Sequence, residues 1–292
     1  MFEPFTPSFF RRLQQLKIRT RRSYLGSRQG SHLSKRRGHG LEFAEFRPYT
    51  PGDDFRHIDW SVYGRTDRLY VKEFREEQDL NVSIMIDASA SMAFPEAQSK
   101  YVLACQLAVA LGHVALTDGD TVTLSLLGSE TSPRYIGPRA LAKARTFLSS
   151  HHPAGAINFP AEVRRALSRL RIPGKCFLIS DFLLPLPEQF AAFDYLRAKN
   201  FDISLLQILS PQELALDTAL NDYVVVDAES GAEVELQLGE RSKADYAALL
   251  ADHVAQLEQY CRRADIVHLL LSSADDLAGV VLTRLPALGL LS

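Results

Sequence analysis

The stretch "VSIMIDASASMAF", residues 82–94, decides the fold. Its first residues are apolar or small and rich in β-branching, the pattern of a strand buried on both faces of a parallel sheet. That strand stops on a carboxylate, Asp87, and the chain then alternates methyls with hydroxyls: Ala88, Ser89, Ala90, Ser91. In open α/β sheets, ligands bind beyond the carboxyl ends of the strands, where strand order reverses. A carboxylate followed by two hydroxyls at that rim is therefore the first candidate site.

Working outward, strands and helices alternate. "SKYVLACQLAVALGHVALTD" (99–118) reads as a helix, "DTVTLSLLG" (120–128) as a strand, and helices follow near 139–150 and 160–171. "KCFLISD" (175–181) is a second buried strand, "PEQFAAFDYLRAKN" a helix, and "FDISLLQIL" (201–209) a third strand. "YVVVDAESGAEVELQL" reads as a hairpin turning at Ser230-Gly231. A helix over 242–263 and the strand "DIVHLLLSS" complete the series. The alternation predicts a doubly wound, mainly parallel α/β sheet over residues 81–292. Residues 1–80 have another texture, a basic arm and then a β-rich extension with turns and aromatics.

With 46% hydrophobic and 23% charged residues the chain is ordinary for a globular protein. Three cysteines (Cys105, Cys176, Cys261) sit singly in apolar segments, which predicts buried thiols in a reducing, cytoplasmic compartment. The N-terminus shows no secretory signal, and no run is read as approaching the ~18 apolar residues of a transmembrane segment. The C-terminal "LAGVVLTRLPALGLLS" is interrupted by Arg284 and Pro286 and is expected to dock on the core.

Charge is uneven. Residues 1–40 carry ten Lys or Arg against Glu3 alone, a sum of +9, so the remainder carries −11 within the net −2. Such an arm can bind nucleic acid or a membrane surface through its field. It lacks the interleaved aromatics that stack bases, so no nucleic acid is expected, and packing on its own acidic body or an acidic partner is the alternative.

A second strand ends in an acid, Asp181, preceded by Ser180. If the two strands are neighbours, Asp87, Ser89, Ser91 and Asp181 form an all-oxygen cluster suited to a hard cation, Mg2+ or Mn2+. The competing reading is that Asp87 and Ser89 only cap the following helix.

"DASASM" (87–92) resembles the D-x-S-x-S of the metal-ion-dependent adhesion site in von Willebrand factor A domains, and the strand-ending Ser180-Asp181 resembles that family's third metal motif. "RRGHGLEFAEFRPYTPGDDFRHIDWSVYGRTDRLYVKEFREE" (36–77) resembles the signature of the bacterial domain-of-unknown-function family 58. The resemblance implies an intracellular A-like domain, encoded beside a MoxR-type AAA+ ATPase, that assists assembly or remodelling of a client protein. It implies no catalysis. It also implies that two serines and a threonine contact the metal while the aspartates hold it directly or through water.

The chain departs from that pattern in the second loop, where "AGAIN" (154–158) puts Ile157 in place of the threonine and leaves only Asn158 as a substitute oxygen. The Mg2+ (or Mn2+) site is thus expected to be weakened.

Other polar clusters read as structural. Pro51-Gly52 with Asp53 and Asp54 is a turn. Asp59 and His57 lie beside it, Arg56, Arg65 and Arg75 are candidate ion-pair partners, and Trp60 with Tyr63 is expected to anchor the extension. His151 and His152 read as loop histidines, since no partner lies at a zinc spacing. No phosphate loop, dinucleotide fingerprint or nucleophile elbow occurs. The expected function is a non-enzymatic protein-interaction module; the alternatives are a Mg2+- or Mn2+-dependent phosphohydrolase using the same acidic rim, or a nucleic-acid binder using the basic arm.

Overall fold

The computed structural model describes residues 5–21, 42–53, 55–75, 80–170, 172–215, 222–226, 233–237 and 240–292. Arg22, Arg28, Lys35, Arg36 and Arg37 of the basic arm, Asp54, and the Ser230-Gly231 turn lie outside them. The chain forms two compact units, Met1–Ser23 together with Leu80–Ser292, and Tyr24–Asp79. The first 23 residues thus group with the large unit and not with the β-rich extension.

The large unit opens with α1 (Pro7–Leu13), whose N-cap Thr6 accepts a hydrogen bond from the Phe9 amide. The small unit holds β1 (Glu42–Pro48), α2 (Trp60–Thr66) and β2 (Tyr70–Arg75), with β1 and β2 antiparallel. Asp59 caps α2 through the Ser61 and Val62 amides. Asp53 closes its turn by accepting from the Thr50 amide and accepts from both terminal guanidinium nitrogens of Arg47, at 2.8 and 2.9 Å. The Arg47 guanidinium holds the Asp53 carboxyl well below the usual range. Arg65 donates to the Ser61 carbonyl. Trp60 and Tyr63 meet edge-on and are both exposed.

The large unit continues through β3 (Asn81–Asp87), α3 (Lys100–Asp118), β4 (Thr121–Leu127), β5 (Tyr135–Ile136), α4 (Leu141–Ser149), α5 (Phe159–Arg169), β6 (Lys175–Ser180), α6 (Leu186–Ala198), β7 (Asp202–Leu209) and α7 (Pro211–Leu214). An antiparallel pair follows, β8 (Asp222–Val226) and β9 (Glu233–Gln237), then α8 (Glu240–Ala264), β10 (Val267–Ser272), α9 (Leu277–Gly279) and α10 (Leu285–Ala287). The main sheet has the order β10-β7-β6-β3-β4-β5, parallel except for β5. The fold class is therefore the expected one, a doubly wound, mainly parallel α/β sheet. From β3 the chain steps one way to β4 and later returns to the other side of β3 with β6, so the strand order reverses between β3 and β6.

Burial on both faces explains the continuous apolar strands. Along β3, Ile84 and Ile86 pack into one core with α1, α3 and the C-terminal helices, while Met85 points into the other with Phe159, Phe193 and Leu257. Successive side chains of a strand alternate between faces, so each core needs its own set. The helix at α3 meets the length and apolarity of a membrane span, contrary to the expectation that no run approaches it, but 78% of that stretch is buried within the fold. The three cysteines are buried free thiols, each pushed up to about 12 by burial.

The described part of the basic arm packs on the acidic body. Lys17 and Ser292 exchange backbone hydrogen bonds at 2.9 and 3.0 Å, docking the C-terminal tail as expected. Lys17 pairs with Asp118 and Arg21 with Asp265. The Thr20 hydroxyl and the Arg21 amide both donate to Asp202 Oδ2, each at 2.8 Å, and buried Lys175 stands 3.2 Å from the same oxygen.

Candidate functional site

The parallel pairing of β3 with β6, in register at Ile86 and Ile179, ends both strands at one edge. This is the switch point, and it brings Asp87, Ser180 and Asp181 together. The Ser180 hydroxyl donates to Asp87 Oδ2 at 2.6 Å, and the Ser89 amide donates to Oδ1 at 2.8 Å. Asp87 is only 1% exposed. Burial, and then the charge of Asp181, raises its carboxyl to about 6, against the hydrogen bonds from Ser180 and Ser89. The Ser89 and Ser91 hydroxyls lie 3.0 Å apart and bond each other.

The second loop lies against the first, as the motif comparison requires. The Ala90 amide donates to the Gly155 carbonyl and the Ala154 amide to the Ala88 carbonyl, both at 2.9 Å. Ile157 does not offer oxygen. It is half-buried against the core of α5 and α6, and a Cβ added at Gly128 would lie 2.6 Å from its Cγ2. Gly128 has φ of +92°, a conformation that L side chains rarely adopt, so glycine fits there twice over. Asn158 is exposed and spends its amide oxygen as the N-cap of α5, accepting from the Ala161 amide at 3.0 Å.

One residue at the rim was not singled out from the sequence. Lys100 is the first residue of α3, behind the N-cap Ser99, and is fully buried. Its ammonium donates to Asp181 Oδ2 at 2.8 Å and to Glu213 Oε1 at 2.6 Å. A cation at a helix N-terminus opposes the helix dipole. Burial also pushes Lys100 down, but the Asp181 and Glu213 carboxylates outweigh it and hold the ammonium above its ordinary value. In "KYVLACQLAVALGHVALTD" only the first and last residues are charged, which sets Lys100 apart but names no partner for it. Glu213 is itself fixed by a capping box in α7, its other oxygen accepting from the Ser210 amide at 2.6 Å.

The loop after β6 is held firmly. Asp181 Oδ1 accepts from the Leu183 amide, and its main-chain carbonyl accepts from Gln207. Phe182 has φ of +51°, uncommon for a bulky residue, and is buried edge-on to Phe159 and Phe193. Gln189 and His253 both bond its carbonyl. His151 bonds the Phe147 carbonyl and Glu130.

The oxygen set fits a divalent ion poorly. Ile157 supplies no ligand, the Asn158 oxygen caps a helix, and Asp181 is already paired with an ammonium. The Ser89 and Ser91 hydroxyls bond each other, while the Ser180 hydroxyl is buried on Asp87.

Comparisons with known proteins agree with this reading of family. "Uncharacterized protein Rv1480" of Mycobacterium tuberculosis is 27% identical over 268 residues, covering 88% of this chain and 82% of that protein. "Uncharacterized protein YeaD" of Bacillus subtilis is 30% identical over 92 residues, 32% of this chain and 21% of that one. Among solved structures, BatB from Bacteroides thetaiotaomicron matches 72% of this chain and 98% of its own at 16% identity, with a TM-score of 0.41. Manganese-loaded TRAP of Plasmodium vivax matches 44% and 57% at 15% identity, with a TM-score of 0.33. Neither structural likeness carries an argument about the site. The model of one family matches residues 45–256, most of the chain, and the protein belongs to that family, described as Protein of unknown function DUF58.

Proposed function

We propose that the chain is a non-enzymatic, cytoplasmic protein-interaction module that contacts its partner through the carboxyl edge of the sheet, working as an adaptor between a MoxR-type AAA+ ATPase and a client protein. One observation carries this reading. Phe94, Leu183 and Leu214 are 47, 40 and 40% exposed, and they follow β3, β6 and β7, three adjacent parallel strands. Large apolar side chains grouped on one exposed edge, around a polar centre, are what a protein contact uses. The Ser89 and Ser91 hydroxyls of the polar centre bond each other and not a base, and Ser180 is buried, which favours capture over turnover. The resemblance read from the sequence names the class of partner.

The test is a pull-down of the co-encoded ATPase, with and without nucleotide, by the wild type and by a Phe94→Ser, Leu183→Ser double variant. Association lost in the variant supports the proposal. No association in any nucleotide state, together with hydrolysis of a phosphate ester that Asp87→Asn removes, transfers the function to a phosphohydrolase.

A further inference from the structure

We infer that the ammonium of Lys100 is the resident cation of this rim, in the role that the motif resemblance assigns to Mg2+ or Mn2+, and that the rim is built to work without a divalent ion. Four observations carry it.

The carboxylate oxygens are all engaged from within the chain. Asp87 accepts from Ser180 and the Ser89 amide, and Asp181 from Lys100 and the Leu183 amide. Of these four donors one, the Lys100 ammonium, is itself a cation and needs no recruitment from solution. The neutral ligands are engaged as well: Ser89 and Ser91 bond each other, and Asn158 caps α5.

The position of the missing hydroxyl is filled with hydrocarbon. Ile157 packs on Gly128 and on the core beneath it, so its surroundings accommodate the side chain. Mg2+ needs six oxygens in near-octahedral geometry, and the Ile157 side chain supplies none of them. An ammonium asks for less, since its three N–H donors need no fixed shell.

Lys100 also does what a bridging cation does. It joins Asp181, after β6, to Glu213, after β7, and so ties two strand-end loops to the start of α3. Its side chain is 1% exposed, as is fitting for a permanent part of the fold. Finally, its placement at the helix N-terminus works against the dipole, and only the carboxylates beside it make that placement tolerable. The same acids and the same lysine thus depend on one another.

This inference stands apart from the identity of the partner and is tested on the isolated full chain. Wild type, Lys100→Met and Asp87→Asn are titrated with Mn2+ by paramagnetic resonance and melted with millimolar Mg2+, Mn2+ or chelator. For the wild type we expect no rim binding: the melting temperature moves by less than about 1 °C, and any bound Mn2+ is equal in Asp87→Asn. Lys100→Met is expected to melt lower by about 6 °C or more in the absence of metal. Saturable Mn2+ binding by the wild type that Asp87→Asn removes would overturn the inference, as would Lys100→Met melting at the wild-type temperature. Should Lys100→Met fail to fold, the wild-type titration against Asp87→Asn decides alone.

Discussion

The Lys100 ammonium and the Asp181 carboxylate meet at 2.8 Å in the interior of the fold, one at the first residue of α3 and the other just past the end of β6, 81 positions apart in sequence. Their side chains are 1 and 3% exposed. A buried pair of this kind adds little over a hydrophobic pair of the same shape, yet breaking one half of it strands a charge. Lys100→Met should cost about 3–5 kcal/mol. The double variant Lys100→Met, Asp181→Asn should cost less than the sum of the two single variants. Urea unfolding of the four chains measures this, and additive losses would show that the two groups are not coupled.

Ile157→Thr restores the hydroxyl that the motif resemblance calls for. With Lys100 still in place it should not create a metal site, and it should lower stability by about 1–2 kcal/mol, because a hydroxyl replaces packed hydrocarbon. In a Lys100→Met background the same change should bring Mn2+ into the rim. Calorimetric titration of both chains checks the contrast.

How much of this was legible in the sequence follows from the range of each interaction. The strands ending at Asp87 and Asp181 were legible because burial on both faces leaves continuous apolar runs, and "AGAIN" was legible as the loop that lies against Ala88 and Ala90. Lys100 was not, because its partners lie 81 and 113 residues away and a lone lysine beginning an apolar helix carries no period. The charge balance offered packing of the basic arm on its own acidic body, but not the partners: Thr20 finds Asp202 across 182 positions. The membrane-like composition of α3 arises because both the sheet and the flanking helices cover it.

Asp202 is the clasp of that N-terminal segment. It takes the Thr20 hydroxyl, the Arg21 amide and the Lys175 ammonium. Asp202→Ala leaves Lys175, already held below its ordinary value by burial, without its carboxylate. The loss should be about 3–5 kcal/mol. Cleavage at Arg19 or Arg21 by trypsin under native conditions should accelerate; unchanged protection would mean that the segment is held by its pairing with the C-terminal tail.

His113 of α3 is 7% exposed and meets the Phe10 ring edge-on at 4.8 Å, so burial keeps its imidazole below the ordinary value. The unfolded chain therefore takes up a proton first as pH falls below about 6.5. Stability from neutral His113 is fully present above that pH and is lost as pH falls toward the folded value. Between about pH 7 and 5, the wild type should lose up to about 1.4 kcal/mol per pH unit more than His113→Leu. The difference between the two chains cancels the contributions of His268, lowered in the same way by burial, and of Asp87, raised to about 6.

The most direct measurement is a crystal structure of the full chain grown with Mn2+, with anomalous data collected at the manganese absorption edge. The account predicts no anomalous peak among Asp87, Ser89, Ser91 and Asp181, and Lys100 Nζ seated between Asp181 and Glu213. An anomalous peak bonded to Ser89, Ser91 and either aspartate, with Lys100 turned away, would contradict it.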